Sequence, residues 1–333
     1  MKCEQIPEGL APRTILVVRD SRVGDVLMTT PAIRRIKERF PEAALDVLVS
    51  RYAKRSGVLD RNPCIRRVLT CPRNRWLRRL RCFLLPRYDL VIPIRRRKEF
   101  DSIRSGCMID GGKPSTSPHV VHGSESMMGF PRDDRFVPME IHPSPEEIDQ
   151  AAREIPDGRV GVYPSCHGST ISRVDPMNSR RVWRAAEVQA AVRGLTDAGY
   201  PVVLFGGSAA EERALRDLGL SVPILSGGSI TLLAARLARL RAFVTVDTGP
   251  MHVAAAMDVP IVALYGPTRP EVTGPYMRSG RSVVLRDESL PCLPCRGKKI
   301  DCRDNVCMTY HTPGRILEAL GRLLGEEGMR GEG

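Results

Sequence analysis

Apolar residues alternate along this chain between two spacings, and the alternation predicts the fold class. Residues 15–19 open with the unbroken run Ile15, Leu16, Val17 and Val18, the pattern of a strand covered on both faces, as in a parallel sheet. Val26, Leu27, Thr30, Ile33 and Ile36 then recur at helical spacing and predict a helix over 26–40. The same grammar continues through a strand at 45–49, a short helix at 53–59, a strand at 68–69, a helix at 76–85 and a strand at 90–94. Strands separated by helical segments form βαβ units, so the expected architecture is α/β with a parallel sheet covered by helices.

Residues 102–145 change character. Gly111-Gly112, Pro114, Pro118 and scattered His and Ser predict loops and a connection between domains. A second series follows, with strands at 159–163, 201–205, 242–246 and 261–265 and helices at 182–198, 209–218, 230–239, 250–257 and 313–324. The expectation is two Rossmann-like domains, 1–145 and 146–333. The 333 residues are enough to give each its own core.

No run of eighteen apolar residues occurs, and residues 1–12 lack the apolar stretch of a signal peptide, so the expected location is the cytoplasm. The net charge of +13 is concentrated. Between Arg61 and Arg104 stand 14 Lys or Arg against three acids, and the cluster Arg95, Arg96 and Arg97 sits among them. Such a surface suits a polyanion: a phosphorylated glycolipid, an anionic membrane face or a nucleic acid. Few aromatics are interleaved, so stacking on nucleic-acid bases is not expected.

Candidate chemistry lies in the turns. Asp247-Thr248-Gly249-Pro250-Met251-His252 runs from a strand into an Ala-rich helix, which directs unpaired N–H groups and a positive helix end at one point suited to phosphate. Asp25 follows the first strand, at the sheet edge where α/β proteins bind ligands, and either caps a helix or acts in chemistry. Four cysteines near the C-terminus, Cys292, Cys295, Cys302 and Cys307, are spaced as in a compact structural zinc site; reduced or disulfide-capable thiols and an iron–sulfur cluster are the alternatives.

The stretches 15–34, 203–207, 247–256 and 260–276, with the Cys-rich tail 292–308, together resemble glycosyltransferase family 9, the heptosyltransferases of the lipopolysaccharide inner core. The resemblance runs in family order from about residue 14 to about residue 320. It implies a GT-B architecture, two doubly wound domains facing a central cleft, with acceptor on the N-terminal side and nucleotide sugar on the C-terminal side. It implies ADP-heptose as donor, no catalytic metal, and an inverting transfer in which Asp25 is the base. Thr248 and Gly249 would then hold the ADP diphosphate, with His252 as a further phosphate ligand and Asp247 on a donor sugar hydroxyl. Ser165 and the glycines Gly206 and Gly207 would line the nucleotide. Arg181 stands where relatives carry a Lys that neutralises diphosphate. Arg22 with Arg95, Arg96 and Arg97 would meet a phosphorylated or acidic acceptor. The chain is expected to act as a monomer at the inner face of the cytoplasmic membrane.

Overall fold

A computed structural model describes residues 2–3, 6–94, 98–109, 119–128, 130, 135–166, 181–293, 295 and 306–325. The chain divides into two compact units, Met1–His142 and Pro143–Gly333.

The first unit is built on six parallel strands: β1 (Lys2–Cys3), β2 (Thr14–Arg19), β3 (Ala44–Ser50), β4 (Arg67–Cys71), β5 (Tyr88–Pro93) and β6 (Ser105–Ile109), in the order β1-β6-β5-β2-β3-β4. β2 is central, with Ile15 opposite Leu45 on one side and Leu90 on the other, which explains its unbroken apolar run. Leu16, Val18, Leu48, Val91 and Met108 pack on one face against Cys82, Leu85, Phe100 and Ile103.

Two expectations are corrected here. The stretch 102–145 is more than a connection, because β6 lies within it and pairs with both β5 and β1, and α5 (Val120–Met127) follows. The helix expected over 26–40 is two helices, α1 (Val23–Leu27) and α2 (Thr30–Arg39). Pro31 lacks the N–H that would continue the ladder. Instead, the Thr30 hydroxyl donates to the Leu27 carbonyl at 2.8 Å, and the Glu140 N–H donates to the same hydroxyl at 2.8 Å. After α3 (Arg51–Ser56), helix α4 (Arg75–Phe83) links β4 to β5, its start capped by Asn74, whose side chain accepts from the Leu77 N–H.

The basic segment is also less uniform than its composition implies. Arg66 and Arg67 both bind the fully buried Asp46 carboxylate, at 2.7–3.2 Å, and Tyr88 Oη donates to it at 2.7 Å. Burial pushes this carboxyl up, but the donors outweigh it and hold it below the ordinary aspartate range. Arg78 is buried, donating to the Pro72 and Arg73 carbonyls and lying 3.4 Å from Asp20. Arg104 donates to the Leu85 carbonyl. The contacts of these arginines are made within the first unit.

The second unit repeats the plan, with β7 (Val160–Tyr163), β8 (Val202–Gly206), β9 (Ile224–Ser226), β10 (Ala242–Val246), β11 (Ile261–Leu264) and β12 (Ser282–Leu285) all parallel in the order β12-β11-β10-β7-β8-β9. β9 and β12 are short edge strands that the apolar pattern did not predict. Its helices are α6 (Pro145–Glu154), α7 (Ala185–Asp197), α8 (Ala209–Arg216), α9 (Ile230–Ala238), α10 (Gly249–Ala256), α11 (Pro270–Thr273), α12 (Val306–Thr309) and α13 (Pro313–Leu324). Trp183, Val188, Val192, Leu204, Val244, Val262, Ile316 and Leu320 belong to its core. No helix among the described residues is long and apolar enough to cross a membrane.

Candidate active site

Strand order places both candidate loops. In each sheet the chain steps outward on one side of the first central strand and then returns to its other side, leaving a crevice at the carboxyl ends of the two innermost strands. In the first unit those strands are β2 and β5, and the Asp25 loop follows β2. In the second they are β7 and β10, and the Asp247-Thr248-Gly249 turn follows β10.

In the second unit three stretches converge at this crevice. Thr248 is the N-cap of α10 in extended conformation, but its side chain makes no capping bond, and Pro250 lies in the first turn. Arg181 crosses from the loop before α7: its Nη1 donates to the Asp247 carbonyl at 2.8 Å and to Asp247 Oδ2 at 3.2 Å. The Trp183 N–H donates to the Pro164 carbonyl at 3.2 Å, which fixes the same loop beside buried Ser165 after β7. Asp247 and His252 are both buried. A cation, a helix start and a hydroxyl side chain that is not spent on capping are therefore adjacent, which is the donor set for a diphosphate.

The β8 loop is held by a buried carboxylate. The Gly207 N–H is committed to Glu211 Oε2 at 2.7 Å, and Tyr163 Oη donates to the same oxygen at 2.9 Å. A Cβ on Gly207 would lie 2.7 Å from Tyr163 Oη, so only glycine fits without a shift. Ser208 caps α8 by accepting from the Glu211 N–H. Burial pushes the Glu211 carboxyl up, against the opposing hydrogen bonds from Gly207 and Tyr163. Sequence reading missed Glu211 and Tyr163. The Ser208-x-x-Glu211 spacing signals a capping box, but the carboxylate reaches Gly207 and not the cap residue.

In the first unit Asp25 is not a helix cap. Arg22, exposed, holds the cap position of α1, and Asp25 lies in the first turn. Its side chain is 37% exposed and pairs with Arg19 Nη2 at 3.3 Å, while Arg19 Nε donates to the Asp25 carbonyl at 3.4 Å. Sequence reading also missed Arg19, the last residue of β2. The arrangement presents a partly accessible carboxylate oriented by a buried guanidinium, able to accept a proton from a bound hydroxyl.

Arg95, Arg96 and Arg97 lie outside the described residues, as does Cys302. Cys292 and Cys295 are partly buried and Cys307 is buried; Cys295 donates its N–H to the Pro267 carbonyl. Among the described residues no three His, Cys, Asp or Glu side chains gather as a metal site.

The family described as Glycosyltransferase family 9 (heptosyltransferase) matches residues 165–302, which include Ser165, Arg181 and the whole Asp247–His252 turn. Over 95% of this chain and 99% of the relative, the sequence is 26% identical to lipopolysaccharide heptosyltransferase 2 of Salmonella typhimurium. The chain is similar to glycosyltransferase family 9. Its backbone matches a glycosyl transferase family 9 structure from Veillonella parvula with a TM-score of 0.74 at 20% identity, covering 95% of this chain and 98% of the other. It matches the Escherichia coli ADP-heptose lps heptosyltransferase II with a TM-score of 0.69 at 23% identity, covering 94% and 99%. The similarity to heptosyltransferases and the two parallel sheets make this chain a glycosyltransferase of GT-B fold.

Proposed function

We propose that this glycosyltransferase moves heptose from ADP-heptose to a lipopolysaccharide inner-core acceptor. The observation that carries the reading is the Arg181–Asp247 pair beside the uncapped start of α10, at the switch point of the second sheet. A family relative is named a lipopolysaccharide heptosyltransferase, and a structural neighbour is titled by ADP-heptose, which supports the donor.

In this reading an acceptor hydroxyl oxygen attacks the anomeric carbon as the bond from that carbon to the diphosphate oxygen breaks, inverting the centre in one displacement. Asp25 takes the hydroxyl proton late, because a sugar hydroxyl is a weak acid until the new bond forms. The departing ADP carries its negative charge to the N–H groups of Thr248 and Gly249, to Arg181 and to His252. Asp247 holds Arg181 and is left to meet a sugar hydroxyl, since its own charge repels phosphate. Arg22, with Arg95, Arg96 and Arg97, serves a phosphorylated or acidic acceptor, and the chain works as a monomer at the cytoplasmic face of the inner membrane. A zinc ion on Cys292, Cys295, Cys302 and Cys307 would brace the tail. Metal analysis of protein purified without chelator would return one zinc per chain if so, and a metal-free protein rejects that part.

The test is transfer itself. Purified protein with ADP-heptose and deacylated core oligosaccharide should release ADP and add one heptose to the acceptor mass. Turnover with a different nucleotide sugar and none with ADP-heptose overturns the donor assignment.

A further inference from the structure

Helix α4 is apolar on the side turned away from the protein. Its inward stripe is short: Arg78, Cys82 and, one turn on, Leu85 are buried. Trp76, Leu77, Leu80, Phe83 and Leu84 are instead exposed, at 69%, 46%, 41%, 56% and 62%. On a helix advancing about 100° per residue these five occupy about a third of the circumference, opposite the buried stripe. Arg75 and Arg79 border that arc on one side and Arg81 on the other, and Arg73 and Arg87 flank the helix ends, all exposed. No Asp or Glu occurs between Arg61 and Tyr88.

An ordinary surface helix puts polar residues on its outer face. Large exposed apolar patches mark contact surfaces, and this one is bounded by charge of a single sign. A second copy of the chain is a poor occupant: a self-complementary contact would bring the arginines of two patches together. An anionic bilayer surface satisfies both parts. Trp, Leu and Phe enter the boundary between headgroups and acyl chains, while arginine stems lie along the apolar surface and their guanidinium groups reach the lipid phosphates.

We propose that α4 seats the protein on anionic phospholipid bilayers, with Trp76, Leu77, Leu80, Phe83 and Leu84 inserted and Arg75, Arg79 and Arg81 on the headgroup phosphates. This rests on the reading above that the acceptor is a membrane glycolipid, and it assigns the contact to α4 in place of a general basic belt.

Flotation of the full-length protein with phosphatidylcholine vesicles, with or without phosphatidylglycerol, tests it. Wild type should float with the phosphatidylglycerol vesicles and far less with phosphatidylcholine alone. Trp76→Ser with Phe83→Ser should lower that binding at least about tenfold, since the removed side chains supply the inserted area. Arg79→Gln with Arg81→Gln should lower it about tenfold or more and make the remainder less sensitive to salt. All changed residues are exposed, so thermal melts should match wild type. With ADP-heptose and deacylated, water-soluble acceptor, kcat and KM should stay within about twofold, while the apparent KM for acceptor embedded in vesicles rises about tenfold. Unchanged vesicle binding in both variants overturns the proposal, as does equal wild-type binding to both vesicle types. A self-association lost on Trp76→Ser, with vesicles ignored, assigns the patch to a protein contact and overturns it too. Vesicle binding that follows this pattern in a protein that transfers no sugar supports α4 as the membrane contact and rejects only the activity reading.

Discussion

Asp25 carries a partly exposed carboxylate 3.3 Å from the guanidinium of Arg19, in the first turn of a helix that another residue caps. Asp25→Ala should therefore lower turnover about 10²–10⁴-fold through lost proton acceptance, with little loss of stability. ADP affinity, measured by calorimetry, should hardly change, because the proposed nucleotide contacts belong to the other unit. Arg181 is different, since it both faces the proposed diphosphate and neutralises the buried Asp247. Arg181→Ala should weaken ADP about 10- to 150-fold, the range for a hydrogen bond to a charged group, and weaken AMP less. Equal losses for the two nucleotides would count against a diphosphate contact. Arg181→Lys restores the charge but not the planar fork, and should recover only part of the affinity. His311 offers a readout of burial alone. It is 1% exposed, and burial pulls its pKa down from 6.5 to about 4. The unfolded chain then takes up the proton first as pH falls. The stabilisation is present above about pH 6.5 and is lost on the way down to about pH 4. Between those limits wild type should lose up to about 3 kcal/mol more stability than His311→Gln in denaturant titrations.

At the scale of elements, the break between α1 and α2 is held by one side chain. Thr30 is fully buried, donates to the Leu27 carbonyl and accepts from the Glu140 N–H, both at 2.8 Å. Thr30→Val keeps the shape and strands both backbone groups, so it should cost about 1–3 kcal/mol in chemical denaturation. A change below a few tenths would mean that water replaces the hydroxyl. Because the same hinge sets where α1 points, the variant should also lower turnover more than it lowers ADP affinity. Apolar spacing carried one expected helix straight through Pro31, whereas capping hydroxyls such as Ser144 and Ser229 are the kind of signal visible in a sequence, because a cap acts on neighbours within one turn. The pairing of β1 with β6 is not, because two residues become a strand only when an edge some hundred positions away is presented to them.

For the whole molecule, two units with separate sheets and cores should unfold in two calorimetric transitions. ADP should raise only the transition of the second unit, by about 2.7 kcal/mol at a concentration one hundred times its Kd. Asp25→Ala should leave that shift intact. If ADP moves neither transition, the second unit is not the nucleotide site.

Sequence alone determined the α/β class, the order of the long elements and the two loops that end at switch points. Unbroken apolar runs, helical spacing and Gly-Pro turns are local signals, and strands such as Ala242–Val246 and helices such as Pro313–Leu324 lie where those signals put them. Tertiary structure decided what the charged groups do. Arg66 and Arg67 look like neighbours in a basic belt, yet both turn onto Asp46, about twenty positions earlier. Arg78 is buried while Arg79 is exposed, a difference set by which side of α4 meets the sheet. Arg19 beside Asp25, Arg181 on Asp247 and Glu211 between Gly207 and Tyr163 are all fixed by packing. A charge takes its role from the partner within a few ångströms, and for pairs such as Arg181–Asp247 and Tyr163–Glu211 that distance is created when segments distant in sequence come side by side.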